Sequence, residues 1–326
     1  MVASPGADDR TATSSPRFEA GYLKLLRTGA LEARVAKAQE HLRNCDLCAR
    51  YCRVDRLHSL TGVVCRTGTE AVVASYGAHH GEEDCLRGYN GSGTIFFSWC
   101  NLRCDFCQNW ELSRKGEGRL VSADDLAAIM LELQEQGCHN INVVTPSHVV
   151  AQILEAVLIA ARKGLTLPIV YNTGGYDSLE ALALMDGVVD VYMPDLKYGS
   201  SAAAHSYSHV RNYTPFNQAA ILEMHRQVGD LVIDRHGLAQ RGLLVRHLIL
   251  PNGIAGTREV LRFVAEEISP DTFINVMDQY RPCYKAGDKP EIARSITRAE
   301  YLEALDLARQ LGLTRLNDPF DRVARV

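Results

Sequence analysis

No stretch of this 326-residue chain is long and apolar enough to read as a membrane span. The longest candidate, "HVVAQILEAVLIAARKG" from His148 to Gly164, is interrupted by Gln152 and Glu155 and reads as an amphipathic or buried helix. The first residues, "MVASPGADDRTATSSPR", have no apolar segment of signal-peptide type. Basic charge is not in excess either. Lys and Arg number 35 against 39 Asp and Glu, a net charge of −4, which argues against a broad nucleic-acid-binding face. Together these absences predict a cytoplasmic protein that takes neither a membrane nor a nucleic acid as partner.

The chain also lacks a fourth cysteine where one is expected. In "FFSWCNLRCDFCQNW" (96–110), Cys100, Cys104 and Cys107 fall at C-x3-C-x2-C, and no further cysteine follows until Cys138. A closed zinc site takes four ligands, and an ordinary [4Fe–4S] cluster takes four thiolates. Three thiolates hold three corners of such a cluster and leave one iron open, which is what a catalytic metal needs. The competing reading is a zinc site completed by a distant histidine or by Cys138. Phe106 before the third cysteine, and the strand-then-loop context, favour the cluster.

Cysteine is otherwise concentrated rather than scarce. Eight of the ten lie between 45 and 107, a clustering that points to metal or redox chemistry in a reducing compartment. Cys138 and Cys283 stand apart and read as structural. "CDLCARYCRVDRLHSLTGVVC" places Cys45, Cys48, Cys52 and Cys65 at C-x2-C-x3-C-x12-C, a four-thiolate set suited to zinc or to an auxiliary iron–sulfur cluster. "AHHGEEDC" (78–85) adds histidines, glutamates and Cys85. These are further ligands, a cover over the active site, or a solvated acidic loop. Cys85 itself either joins the second set or faces the substrate as a hydrogen donor.

Residues 1–17 read as a disordered tail and 18–90 as a helical, Cys-rich extension, with two helices broken near Gly29 and irregular chain from 44. Residues 91–326 alternate strand-like and helical segments. The predicted strands are 93–98, 140–145, 167–172, 189–195, 243–250 and 272–277; the predicted helices are 122–136, 148–163, 178–185, 217–228, 256–267 and 298–311. The pattern is α/β and predicts a partial (β/α)6 TIM-like barrel, although an open doubly wound sheet gives the same alternation. Polar residues recur at the strand ends: Ser98, Thr145, Ser147, Asn172, Thr173, Asp195, Lys197, Arg246, His247, Asp278 and Gln279. In a barrel such ends converge on one mouth. His148 and His247 are candidates there for positioning a substrate; His225 reads as a helix residue.

"CNLRCDFC" resembles the cluster motif of the radical S-adenosylmethionine (SAM) superfamily. "GSGTIFFSWCNLRCDFCQNWELS", "VYNTGGYDS", "YMPDLKY", "VRHLILPNG" and "NVMDQYRP" resemble the pyruvate formate-lyase activating enzyme and, more closely, an uncharacterised branch related to it, over roughly residues 44–315. The four-cysteine segment also resembles the amino-terminal part of that branch. The resemblance implies a [4Fe–4S] cluster on Cys100, Cys104 and Cys107 whose open iron binds SAM. One electron then cleaves SAM to a 5′-deoxyadenosyl radical, which removes hydrogen from a substrate.

It further implies a one-electron donor such as flavodoxin or ferredoxin, and a glycyl-radical enzyme as the substrate protein. The alternatives are a small molecule, a peptide or a protein side chain as substrate, or a non-enzymatic zinc scaffold. Phe106 and Gln108 flank the third ligand, where backbone groups would meet the adenine; Lys197 would lie near the SAM carboxylate or ribose, and Arg246 would contact SAM. Three departures accompany it. "TPSH" stands where the family has Gly-Gly-Glu, so Ser147 and nearby backbone would hold the SAM amino group. Asn172 replaces an aspartate that would share a monovalent-cation site with Asp195. Gln279 stands in for a last-strand histidine.

Overall fold

The computed structural model describes residues 18–317, so the tail at 1–17 lies outside the described residues. Among the described residues nine strands form one sheet. They are β1 (Ala71–His79), β2 (Ser92–Phe97), β3 (Arg119–Val121), β4 (Ile141–Val144), β5 (Ile169–Thr173), β6 (Val191–Pro194), β7 (Val232–Ile233), β8 (Ala239–Leu248) and β9 (Phe273–Met277). The helices are α1 (Gly21–Arg27), α2 (Ala30–His41), α3 (Asp84–Arg87), α4 (Ala123–Glu135), α5 (Val150–Arg162), α6 (Leu179–Met185), α7 (Ser201–Ser208), α8 (Tyr213–Val228), α9 (Thr257–Phe263) and α10 (Arg298–Gln310). None is long and apolar enough to cross a membrane.

Strands β2, β4, β5, β6, β8 and β9 are parallel, each paired with the next. The spatial order of these six follows the chain order without reversal, so there is no switch point of the doubly wound kind. The fold is therefore a partial (β/α)6 barrel. Its central strands are buried on both faces, as in "INVV" and "IVYNT", which explains why they read as short apolar runs. Helix starts are set locally. Ser122 with Asp125, and Thr297 with Glu300, form reciprocal capping boxes at α4 and α10. Helix α5 carries ten buried residues and packs between α2 and α4, so its apolar character reflects a sandwiched helix.

The extension is not a separate body. Gly29, at φ 73°, takes the left-handed conformation that separates α1 from α2. The pair docks on the barrel, where Gly21 N donates to Asp190 Oδ1 at 2.9 Å and Tyr22 Oη donates to Leu167 O at 2.9 Å. Residues 71–79, expected to be irregular, form β1. This strand runs antiparallel to β2 and, with β3, covers the sheet edge that an incomplete barrel leaves open. The sheet thus begins at residue 71, not 91.

Candidate active site

The C-terminal ends of the parallel strands surround a cleft of about 350 Å³. Cys100, Cys104 and Cys107 form one wall. Phe106, Gln108, Asn172, Asp195, Lys197, Arg246 and Gln279 also line the cleft, so seven of the eight residues expected to hold SAM share one space.

The chain approaches the cysteine loop through Trp99, whose φ of 65° is strained for a bulky residue. Trp99 N donates to Leu112 O at 2.9 Å. Its ring lies where any side chain at Gly116 would fall, 2.1 Å from the Cβ position, so Gly116 is required there. Each of the three sulfurs has a polar neighbour. Leu102 N donates to Cys100 Sγ at 3.3 Å, Ser208 Oγ donates to Cys104 Sγ at 3.0 Å, and Ser113 Oγ lies 3.3 Å from Cys107 Sγ. Burial, with Cys104 beside it, pushes the Cys100 thiol up to about 12. Burial likewise raises Cys104, against the pull of Lys197.

Lys197 Nζ donates to Asp195 Oδ2 at 2.5 Å. Burial disfavours its charge, but Asp195 and then Cys104 outweigh that, and its pKa stands above the ordinary lysine value. Two α8 residues with no sequence signature brace this strand end. Tyr213 Oη accepts from Lys197 N at 3.1 Å, and Asn217 Nδ2 donates to Asp195 O at 3.0 Å and to Gly175 O at 2.8 Å. Gly175 has φ 73°, and a Cβ there would fall 2.3 Å from Asp195 O.

Arg246 reaches the cleft with its Nε and Nη2 already engaged. Its Nε and Nη2 meet the two oxygens of Glu83 at 2.8 and 2.6 Å, and Nη2 also meets Glu82. Asn275 Nδ2 on β9 donates to Glu83 Oε1 at 2.6 Å, and Asn142 Nδ2 on β4 donates to Glu82 Oε1 at 3.2 Å. The acidic pair thus stitches β4, β8 and β9 together inside the incomplete barrel. Glu83 is buried, so this segment is not a solvated loop, and Glu82 is part of the cleft wall.

Four expected site residues are placed elsewhere. Ser147 is buried with its hydroxyl 2.9 Å from Thr173 Oγ1, which itself donates to Asp177. His247 is buried, with Nδ1 2.6 Å from Leu196 O and Nε2 3.0 Å from Thr257 Oγ1. Burial holds it down to about 4, so it is neutral. Cys85 packs with Val170, Val191, Met193 and Leu244, away from the cleft residues. His148 lies beside the second cysteine group, and its Nε2 donates to Ser98 O at 3.0 Å. None of the four lines the cleft.

Cys45, Cys48, Cys52 and Cys65 line one small enclosed cavity with Arg56 and Asn101. Arg56 is 2% exposed; it donates to Thr67 O at 2.7 Å, His148 O at 2.8 Å and Cys45 Sγ at 3.6 Å, and meets no carboxylate among the described residues. Cys45 is drawn down to about 5 by a hydrogen bond from Cys52, against burial and with help from Arg56. Asn101, next in sequence to Cys100, touches Cys48, so one side chain separates the two cysteine groups.

Residues 94–238 match the family model of the Radical SAM superfamily. That stretch is matched as a radical SAM domain. An uncharacterized protein of Methanocaldococcus jannaschii is 29% identical over 312 residues, covering 92% of this chain and 85% of that protein. Among solved structures, a radical SAM methyltransferase from Sphaerobacter thermophilus shares 14% identity and a TM-score of 0.46, with 89% of each chain covered. The FeFe-hydrogenase maturase HydG from Carboxydothermus hydrogenoformans shares 11% identity and a TM-score of 0.48, covering 68% of this chain and about half (51%) of that one.

The radical SAM superfamily implies a [4Fe–4S] cluster and SAM, and the donor set fits both. Three sulfurs that already meet polar partners are ready acceptors for a cationic cluster, which would relieve the burial penalty on their thiolate forms. Among the described residues no three His, Cys, Asp or Glu side chains form a finished single-ion cage. A cluster gives each thiolate its own iron and so asks for wider spacing. The cation of Lys197 suits a carboxylate ligand, and Phe106 offers an aromatic face. At the second group a buried arginine faces the thiols without a carboxylate, and these four cysteines form no finished single-ion cage either.

Proposed function

We propose that the protein binds a [4Fe–4S] cluster on Cys100, Cys104 and Cys107, binds SAM beside it, and acts as a glycyl-radical activating enzyme. The observation that carries the radical reading is the meeting of three hydrogen-bonded cysteine sulfurs with Lys197 and Asp195 in a single cleft of the radical SAM domain. The bound pair supplies one-electron cleavage of SAM to a hydrogen-abstracting radical.

The chain's own residues do the positioning. Lys197, kept charged by Asp195, anchors a carboxylate. Tyr213 and Asn217 fix that anchor from α8. Phe106, tilted against Tyr198 and Tyr280 with centroids at 6.4 and 5.9 Å, offers a ring held by its neighbours. Glu82 and Arg246 wall the cleft from within the barrel, with Glu83 holding Arg246 from behind. Cys45, Cys48, Cys52 and Cys65 are the candidate ligands of a second metal, zinc or iron–sulfur, which would staple the segment between α2 and β1 once their sulfurs close around it.

Anaerobic reconstitution tests the reading. About four iron and four sulfide should bind at the cleft, and dithionite with SAM should release 5′-deoxyadenosine. Incubation with a glycyl-radical enzyme should then produce the doublet electron paramagnetic resonance (EPR) signal of a glycyl radical on that partner. Cleavage of SAM without such transfer would keep the radical chemistry and reject the activating role, leaving a small molecule, peptide or side chain as substrate. Zinc at both sites with no cleavage would reject both.

A further inference from the structure

Two buried carboxylate side chains, Glu82 and Glu83, share one guanidinium at the open edge of the barrel. Among the described residues β9 pairs with β8 and with no other strand, and the segment after β1 crosses the remaining gap. There a side cavity of about 180 Å³ opens beside the cleft. Gly81, Glu82, Arg246, Met277 and Gln279 line both spaces, so the two meet at the Glu82–Arg246 contact. The side cavity's own wall adds Glu83, Asn275 and Asp278.

Charge in this space does not balance. Burial opposes the positive charge of Arg246, and Glu83 and then Glu82 outweigh it. Lys197 is already taken by Asp195. Asp278, exposed just beyond β9, makes no ion pair among the described residues. Three carboxylates therefore stand against one guanidinium, and a buried carboxylate without its own counter-charge is costly unless a further cation shares the site.

An independent observation points to a missing donor. Asn142 on β4 is fully buried and donates Nδ2 to Glu82 Oε1 at 3.2 Å, yet its Oδ1 has no hydrogen-bond partner. Ile141 and Val143 join the core beneath the helices, so the alternation of the strand turns Asn142 and Val144 toward the barrel interior, where Val144 lines the cleft. An amide oxygen can only accept. A carboxylate and an unfilled amide oxygen side by side call for a cation that carries N–H groups.

We propose that the side cavity holds a cationic group of the substrate, an alkylammonium or a guanidinium, with Glu82 and Asp278 as its counter-charges. The inference rests on the radical SAM reading of the cleft and deepens it by naming the substrate's chemistry. Sites that enclose a whole small molecule measure about 300 Å³ or more, so the side cavity suits one long side chain or the charged end of a larger ligand. A cation seated there holds the carbon chain that bears it toward the cleft and the cysteine sulfurs. Lys or Arg in a partner protein's segment and a free amine share this chemistry.

Binding is measured by calorimetry on the reconstituted full chain with SAM and without reductant, so it does not depend on cleavage. The probes are agmatine and two otherwise identical glycine-containing peptides, one with arginine and one with citrulline, its neutral counterpart. The variants are Asp278→Asn and Glu82→Gln, with Glu303→Gln, exposed on α10, as the charge control. The cationic probes should bind, and the citrulline peptide should bind roughly tenfold more weakly. Asp278→Asn should weaken the cations about threefold, with SAM affinity and the control unchanged. Because Asp278 is exposed and unpaired, this arm stands even where Glu82→Gln lowers stability.

Tighter binding of the arginine peptide than of agmatine would assign the cation to a protein segment, and the reverse to a small amine; either supports the site. Equal binding of the two peptides would overturn the proposal, as would no binding of agmatine and the arginine peptide alike, or an unchanged affinity in Asp278→Asn. Competition between agmatine and SAM would give the negative charge to SAM's own ammonium group and overturn it too. Amine binding without release of 5′-deoxyadenosine by dithionite would reject the radical reading and leave the cation site standing.

Discussion

Arg246 and Glu83 form a two-point ion pair inside the barrel, with Nε and Nη2 at 2.8 and 2.6 Å from the two carboxylate oxygens. The pair ties the segment after β1 to β8, and through Asn275 to β9, inside the incomplete circle of strands. Burial opposes the charge on Glu83, yet Arg246 and Asn275 hold its carboxyl below the usual range. Removing one partner leaves the other charge buried and alone. Glu83→Ala should therefore cost about 3–5 kcal/mol, read by urea unfolding. A loss under about 1 kcal/mol would show that the pair behaves as an exposed one.

Lys197 is engaged by one carboxylate and still lines the cleft. Lys197→Ala should weaken SAM binding at least tenfold, about 1.4 kcal/mol, with iron content unchanged. Loss of iron along with SAM would move Lys197 from the ligand to the cluster.

Cys104→Ala should abolish SAM cleavage and the cluster's absorbance, because two thiolates cannot retain the cubane. Cys48→Ala should instead remove the second metal and lower stability. Because Asn101 separates Cys48 from the cluster loop, it should also alter the EPR spectrum of the reduced first cluster. An unaltered spectrum would mean the two centres are independent.

Asp190 anchors the extension, its two oxygens accepting from Gly21 N at 2.9 Å and Ile169 N at 3.1 Å. Burial raises this carboxyl to about 7. A raised acid pKa means the folded chain binds the proton more tightly than the unfolded one. Its contribution is full below about pH 4 and is lost as pH rises through 7. Between pH 4 and 8 the stability advantage of the wild type over Asp190→Asn should shrink by roughly 4 kcal/mol at most. A constant gap in urea unfolding at the two pH values would exclude titration of this group.

At Gly175 the left-handed backbone and the close approach of Asp195 O and Asn217 leave no room for a methyl group. Gly175→Ala should lower thermal stability and weaken SAM binding together, since the same contacts hold Asp195 and Lys197. Weakened stability with intact SAM affinity would separate the loop from the anchor.

The sequence by itself determined the alternation of strands and helices, the two cysteine sets and most of the polar strand ends, because each is written in local spacing. It did not decide which neighbour faces the cleft. Arg246 and His247 are adjacent on β8, and consecutive strand residues point to opposite faces, so only one of them can line the mouth. The pleat alone forbids both, but its phase is fixed by the packing of the whole barrel. Ser147 and Cys85 were drawn away for the same kind of reason, one to Thr173 and the other into an apolar cluster.

The roles of Glu83, Asn101, Tyr213 and Asn217 came only with the tertiary structure. Their partners lie far off in sequence, Arg246 163 positions from Glu83, and no periodicity records such a pairing.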